Sequence, residues 1–122
     1  KEHFPSLENV YVANANNINM FKNNTFDLVC HLDGMEHIPK VWEKSCLKEA
    51  VRVSKKYIFY ETACADALAD IWSRERGFTA AHINVKKPCE WSEFFKQYSD
   101  EFNYDIIFSH IGMHHSVILR KR

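Results

Sequence analysis

The sequence has little glycine and little proline, with three of each among 122 residues. An all-β fold needs many turn residues, so this scarcity argues against that class. An excess of charge of one sign is also missing, because 16 lysines and arginines balance 16 aspartates and glutamates. Domains that bind nucleic acid usually carry a basic face. We therefore expect no nucleic-acid partner.

Long apolar runs are absent as well, and none approaches the ~18 residues that a membrane span requires. No secretory signal is visible, so we expect no membrane partner and a cytoplasmic location. The four cysteines include no C-x-x-C pair, which excludes zinc ribbons and thioredoxin-like redox motifs. Cys30 and Cys46 lie in apolar patterns, which predicts buried free thiols in a reducing compartment.

The apolar residues that are present, 46% of the chain, suffice for one globular domain over 1–122. The run 26–32 is largely apolar, which predicts a strand buried on both faces, as in a parallel sheet. Apolar residues at helical spacing predict a helix over about 39–53. The apolar and aromatic run within 56–60 predicts a second strand. Strand, helix and strand in this order form a βαβ unit.

The rest of the chain extends this α/β pattern. A short apolar run at 10–12 predicts a strand, and apolar stripes predict helices over 67–72 and 91–102. Two terminal runs, 104–110 and 115–120, predict an antiparallel pair. We predict a mostly parallel α/β sheet with a C-terminal antiparallel hairpin. The predicted core comprises apolar residues of four strands: Phe26, Leu28, Val29, Ile58, Phe59, Ile106, Ile107, Val117 and Ile118.

Several segments combine into one pattern: F-D-L-V at 26–29, M-E-H-I-P at 35–39 and L-K-E-A-V-R-V at 47–53. Upstream, 13–21 has the sequence A-N-A-N-N-I-N-M-F. Together they resemble class I S-adenosylmethionine-dependent methyltransferases of the small-molecule type. The resemblance implies a Rossmann-like sheet, S-adenosylmethionine as cofactor, and transfer of its methyl group to a small-molecule acceptor.

The resemblance covers only the later part of that family's fold. The family's first strand, its glycine-rich turn and its ribose-binding acid have no counterpart in the 122 residues. We therefore expect the C-terminal portion of a methyltransferase, a single truncated domain that alone binds S-adenosylmethionine weakly or not at all. The alternative is a catalytically inactive methyltransferase-like fragment that acts as a folding or interaction module.

The resemblance also implies four cofactor-binding residues. Asn14, where the family usually has Asp, and Ala15 would border the adenine. Leu32 and Asp33 would line the cofactor pocket where the strand ends. Asn14 is also typical of an ordinary turn, and Asp33 is equally placed to cap the turn that follows it.

Acceptor contacts are expected near 78–89, where the family covers its substrate. Trp72, His82 and Trp91 are the candidates, although Trp91 heads an aromatic helical stripe that favours core packing. Methyl transfer mainly requires alignment of the acceptor with the methyl group. The sequence therefore assigns no catalytic residue.

Metal-ligand residue types occur in two places. Asp33, Glu36 and His37 are close in sequence, but the family has Glu-His here without a metal, so we expect no metal site. The histidines near the C-terminus are expected to be strand and turn residues: His110, His114 and His115.

Two further expectations concern packing and assembly. Glu49 and Arg52, three residues apart on the predicted helix, should form a structural ion pair. Without the family's first strand, the strand 26–32 becomes a sheet edge with unpaired N–H and C=O groups. Either the N-terminal segment folds back over this edge or two copies meet there. Because residues 1–25 are short and rich in asparagine, we expect a homodimer through the Phe26–Leu32 edge.

Overall fold

The computed structural model describes residues 8–64 and 82–122. The predicted helix over 67–72, with the candidate acceptor residue Trp72, lies outside them. Within these ranges the elements follow in the order strand β1 (Phe26–Leu32), a first 3₁₀ turn (Met35–His37), a second 3₁₀ turn (Lys40–Trp42), helix α1 (Glu43–Val53), strand β2 (Ser54–Ala63), helix α2 (Pro88–Gln97), strand β3 (Tyr104–Ile111) and strand β4 (His114–Lys121).

The four described strands form one mixed sheet in the order β1-β2-β4-β3. β1 and β2 run parallel, with Cys30 opposite Phe59. β4 runs antiparallel to β2 and to β3, so β3 and β4 form the predicted terminal hairpin. The predicted α/β class is confirmed, and β1 and β3 are the two edges of the sheet as described.

Helix α1 begins later than the sequence pattern predicts. Pro39 has ψ 137°, an extended conformation, and only after the second 3₁₀ turn does the α-helix start at Glu43. Proline here precedes the helical turns and does not occupy their first position. One face of α1 then enters the core through five residues: Cys46, Leu47, Ala50, Val51 and Val53.

Helix α2 is shorter than predicted. The helix begins at Pro88. The missing N–H of proline costs no hydrogen bond there, because the first N–H groups of a helix have no partner within it. It ends at Gln97, and Phe102 follows in a turn but still packs against the core. Its buried aromatic face, Trp91, Phe94 and Phe95, is the stripe that the sequence predicts.

The core lies on one face of the sheet, under α1 and α2. Ile58 and Tyr60 of β2 are fully buried there, next to Val117 and Leu119 of β4. These residues and the buried faces of both helices belong to one cluster. The prediction that Ile58 and Val117 are core residues is confirmed.

Neither of the two described helices covers the other face of the sheet. Five side chains line a groove of about 450 Å³ on it: Leu28, Tyr57, Phe59, Ile107 and Ile118. We call these five residues the open sheet face. Leu28 is 53% exposed and Ile107 is 46% exposed.

The prediction that the strand 26–32 is buried on both faces is therefore wrong for this chain. Phe26, Leu28, Ile106 and Ile107 are exposed rather than core residues. Alternate residues of a strand point to opposite faces, and both described helices pack on one of them. Val29, on the covered face, is partly buried against the core as predicted; Phe59 and Ile118 are half-buried on the open sheet face.

Residues 8–25, the described part of the chain before β1, are held by α1 and contain no regular strand. The strand predicted at 10–12 is not formed, and Val12 is 95% exposed. The Ile18 N–H donates to Glu49 Oε2 at 2.9 Å, and Arg52 Nη1 donates to the Phe21 carbonyl at 2.8 Å. Side chains of α1 therefore fix the segment that leads into β1.

All four cysteines are free thiols, as predicted. Cys46 and Cys64 are buried, and burial raises the pKa of the Cys46 thiol to about 11. Cys30, predicted to be buried, is exposed because it points to the side of β1 opposite the helices. In the described part of the chain, no helix has the length and apolar character needed to cross a membrane.

Candidate functional site

The carboxyl ends of β1 and β2 lie side by side, and Asp33 is the first residue beyond β1. Its φ of 46° lies in the left-handed region, which turns the chain away from the sheet. Its N–H donates to the Glu61 carbonyl at 2.8 Å. Its carboxylate Oδ1 lies 3.4 Å from His114 Nε2 at the start of β4. Asp33 therefore links the loop after β1 to the end of β2 and to the start of β4.

Asp33 does not cap the turn that follows. Gly34 is the N-cap residue of the first 3₁₀ turn, and no side chain caps it. The outward position of Asp33 instead leaves its carboxylate exposed to solvent beyond the end of β1. Leu32, the last residue of β1, is also exposed, at 57%.

Gly34 allows a close approach to His31. A Cβ at position 34 would lie 2.4 Å from Cε1 of the His31 ring. That ring also contacts Tyr60, with the two ring centroids 5.2 Å apart. Burial lowers the pKa of His31, so the imidazole is neutral at pH 7.

Glu36 joins three segments at this edge of the sheet. Glu36 is only 1% exposed, and its Oε1 accepts a hydrogen bond from the Ala63 N–H at 3.3 Å. Its backbone carbonyl accepts from the N–H groups of Ile83 and Asn84, both at 2.9 Å. The first 3₁₀ turn, the end of β2 and the segment before α2 are therefore bound together through one residue.

His82 lies beside this junction. Its ring centroid is 4.8 Å from that of His37, and the two rings meet edge to face. The segment after His82 is held to the start of α1, because Glu43 Oε2 accepts from Asn84 Nδ2 at 2.8 Å and lies 3.0 Å from Lys86 Nζ. The predicted acceptor residue His82 thus lies at the carboxyl edge of the sheet.

Asn14 and Ala15 approach the same edge from the chain before β1. The Asn14 carbonyl accepts from the Asn17 N–H at 2.9 Å, so Asn14 forms the turn that its residue type favours. A pocket of about 160 Å³ lies here, lined by Asn14, Ala15, Asn16, His37, Ile38, Pro39, Trp42 and Cys46. The two predicted adenine-binding residues therefore share a pocket with His37, whereas Leu32 and Asp33 are not among its lining residues.

Trp91 is placed in the core. It is fully buried and its ring meets Phe94 edge to face, with centroids 5.8 Å apart. Lys86 Nζ lies over the same ring, 5.1 Å from its centroid. This position matches the core-packing interpretation of the aromatic stripe and leaves no exposed surface of Trp91 for an acceptor.

The C-terminal histidines occupy strand positions, as predicted. His115 is fully buried, and its Nε2 lies 2.9 Å from Ser92 Oγ and 3.2 Å from Ser109 Oγ. Burial, together with the nearby His110, lowers the pKa of His115. Alternation along β4 places His115 on the same face as Val117 and Leu119, and that face is the one covered by the helices.

Comparison with known proteins identifies structures with a similar fold. No family model and no curated protein matches the sequence. Solved structures do match. A protein from Pyrococcus horikoshii has a TM-score of 0.72 at 13% identity, over 99% of this chain and 66% of its own. A SAM-dependent methyltransferase, possible histamine N-methyltransferase, from Thermotoga maritima has a TM-score of 0.65 at 15% identity, over 90% of this chain and 62% of its own.

A third solved structure also has a similar fold. It is magnesium protoporphyrin IX methyltransferase from Synechocystis with bound SAH, with a TM-score of 0.62 at 12% identity, over 90% of this chain and 49% of its own. This chain has the fold of class I SAM-dependent methyltransferases. It spans about half to two thirds of the length of these structures.

Proposed function

We propose that this chain is the C-terminal portion of an S-adenosylmethionine-dependent methyltransferase that acts on a small-molecule acceptor. The observation that carries the proposal is the cluster of loops beyond the carboxyl ends of β1 and β2, in a fold shared with such enzymes. Ligands of open α/β sheets bind at this edge. Asp33, the Glu36–His37 turn and His82 all lie there.

The residues at this edge fit one part of the cofactor. Asn14 offers a side-chain oxygen that accepts and an amide that donates, the complement of an adenine edge. The pocket beside it, about 160 Å³, is smaller than the about 300–1,000 Å³ of typical ligand sites. This supports a pocket for the adenine alone, beside Asn14 and Ala15. Leu32 and Asp33 do not line it, and we propose that they contact the rest of the cofactor at the end of β1.

S-adenosylmethionine supplies an electrophilic methyl group on a sulfonium when it is bound. The part of this chain in the reaction is to position the acceptor, since in-line alignment provides much of the rate. His82, held beside His37 by the anchored segment that follows it, is our candidate acceptor contact. Trp91 is withdrawn from that role because it is fully buried.

We further propose that two copies associate through β1. This strand is a sheet edge in the described sheet, and unpaired edge groups favour pairing with another chain. The open sheet face begins on the same strand at Leu28, so pairing at the edge would extend an apolar surface across both copies. The four free thiols support a reducing, cytoplasmic location.

Nuclear magnetic resonance tests the placement of the cofactor, because it detects even weak binding. Titration of the labelled chain with S-adenosylhomocysteine should shift the backbone amides of Asn14, Ala15, Leu32 and Asp33. The amide of Ile107, on the open sheet face, is the control and should not move. Shifts confined to the open sheet face would contradict the proposed site.

A further inference from the structure

Three side chains with metal-ligand atoms converge beside the first 3₁₀ turn. Glu36, His37 and His82 each offer one such atom, and these atoms all lie within 4.8 Å of one another. They come from two segments that are 45 positions apart in the sequence, so no local motif predicts the cluster. Glu36 is buried, His82 is half-buried and His37 is exposed, which leaves a path from solvent.

The buried carboxylate of Glu36 is the second observation. Its Oε1 accepts from the Ala63 N–H, but Oε2 is buried and has no hydrogen-bond partner among the described residues. A buried polar oxygen without a partner costs free energy. A cation at the junction with the two imidazoles would satisfy this oxygen.

The ligand atoms could bind one metal ion if the side chains moved slightly closer together. Zinc–nitrogen bonds of about 2.0–2.1 Å place tetrahedral ligand atoms about 3.3 Å apart. Starting from separations of up to 4.8 Å, the largest gap must close by about 1.5 Å. His37 is exposed on a 3₁₀ turn and can adjust, while Glu36 is fixed by its backbone and side-chain hydrogen bonds.

The ligand types select the class of metal. Two imidazoles and one carboxylate suit Zn²⁺ and related first-row ions, whereas Mg²⁺ and Ca²⁺ prefer oxygen ligands. We propose that Glu36, His37 and His82 form a divalent transition-metal site, with Zn²⁺ as the representative ion. Three protein ligands leave a coordination position for water or for an oxygen of a bound molecule.

The hydrogen bonds around Glu36 act as outer support for this site. The Ala63 N–H orients the carboxylate, and the Glu36 carbonyl holds the backbone that follows His82. Such partners orient metal ligands and tune their affinity. This site goes beyond the proposed methyltransferase function and does not rest on it, because metal binding is measured without cofactor or acceptor. It replaces the expectation from the sequence that no metal is bound.

Equilibrium dialysis of the 122-residue chain against micromolar free Zn²⁺, with metal analysis of the protein, tests the proposal. We expect one Zn²⁺ per chain, and a loss of affinity of about tenfold or more in each of Glu36→Gln, His37→Asn and His82→Asn. His110→Asn, an exposed histidine outside the cluster, is the matched control and should bind as the parent does.

Two results would overturn the site. One is a parent chain that takes up no Zn²⁺; the other is uptake that survives all three ligand substitutions or falls equally in His110→Asn, which means chelation by surface groups. Glu36→Gln keeps the shape and the oxygen that accepts from Ala63, and circular dichroism checks its fold. If that variant does not fold, His82→Asn, at a half-buried position, decides the outcome.

Visible absorption with Co²⁺ gives an independent measurement of the same site. Co²⁺ in a site of low coordination number with nitrogen ligands should give intense d–d bands that are lost in His37→Asn. An octahedral, water-like spectrum in the parent chain would contradict coordination by the imidazoles.

Discussion

Arg52 and Glu49 form a bidentate ion pair across one turn of α1, with Nε 2.7 Å from Oε1 and Nη2 2.8 Å from Oε2. The pair also binds the chain before β1, because Arg52 Nη2 donates to the Ile18 carbonyl at 3.2 Å. The hydrogen bond between the pair lowers the pKa of Glu49 and raises the pKa of Arg52. One ion pair thus positions the segment that leads away from Asn14 and Ala15.

Arg52→Lys should destabilise the chain by about 1–2 kcal/mol, because lysine cannot make the bidentate pair and reach the carbonyls at the same time. Chemical denaturation measures the difference in free energy of unfolding. Arg120→Lys is the control, since its pair with Asp105 is exposed and such pairs contribute little. Equal effects of the two substitutions would show that Arg52 has no special structural role.

The sequence predicted this ion pair but not its second role. The spacing of Glu49 and Arg52 depends only on helix geometry, which a local pattern contains. The contacts of Arg52 with Ile18 and Phe21 join residues more than thirty positions apart. Their partners depend on how the chain before β1 folds back.

The same contrast between local spacing and long-range contacts explains which other parts of the fold the sequence predicted. Hydrophobic periodicity predicted α1, β2 and the terminal hairpin, since each element has its own repeat. The pattern of 26–32 could not show that one side of β1 is left open, because that depends on which helices cover the sheet. Glu36, His37 and His82 meet only when the segment before α2 packs against the first 3₁₀ turn.

Gly34→Ala should destabilise the chain by about 1–3 kcal/mol, because the new Cβ overlaps the His31 ring and one of them must move. Thermal unfolding compares this variant with Gly112→Ala. At Gly112 the nearest atom would be 3.4 Å away, so the control should change little. A Gly34→Ala chain as stable as the Gly112→Ala chain would contradict the close packing of His31 against Gly34.

Two histidines should make the free energy of unfolding depend on pH. Burial lowers the pKa of His31, and burial together with His110 lowers that of His115. The unfolded chain takes up protons on both imidazoles near pH 6.5 while the folded chain does not, so stability should fall as the pH drops below about 6.5. Above that range, these two histidines should no longer make the free energy of unfolding depend on pH.

Denaturation at about pH 7.5 and about pH 5.5, with a chelator present, measures this dependence. The difference between the two pH values should shrink in His31→Gln and in His115→Gln, since glutamine does not titrate. His114→Gln is the control, because His114 is exposed beside Asp33. A parent chain that is more stable at the lower pH would show that the buried imidazoles are not neutral.

The association of two copies through β1 predicts a particle larger than one chain of 14.4 kDa. Light scattering after size exclusion measures the mass. Leu28→Lys places a charge on an exposed position of the edge strand and should shift the chain to a monomer. Val41→Lys, at an 81% exposed position on the second 3₁₀ turn, should leave the mass unchanged. A parent chain that is monomeric at a concentration of tens of micromolar would contradict the proposed dimer.

Calorimetric titration with S-adenosylmethionine tests the central claim most directly. It compares the 122-residue chain with the same chain joined to an N-terminal segment that carries the family's first strand, glycine-rich turn and ribose-binding acid. Circular dichroism first confirms that the joined protein folds. Asp33→Ala in the joined protein is the variant, and Val41→Ala, on the exposed second 3₁₀ turn, is its control.

We predict a dissociation constant weaker than about 100 μM for the chain alone, about −5.5 kcal/mol. The joined protein should bind at about 1 μM, about −8 kcal/mol, and lose affinity in Asp33→Ala but not in Val41→Ala. Micromolar binding by the chain alone would contradict the partial cofactor site. A folded joined protein that does not bind S-adenosylmethionine would contradict the methyltransferase assignment itself.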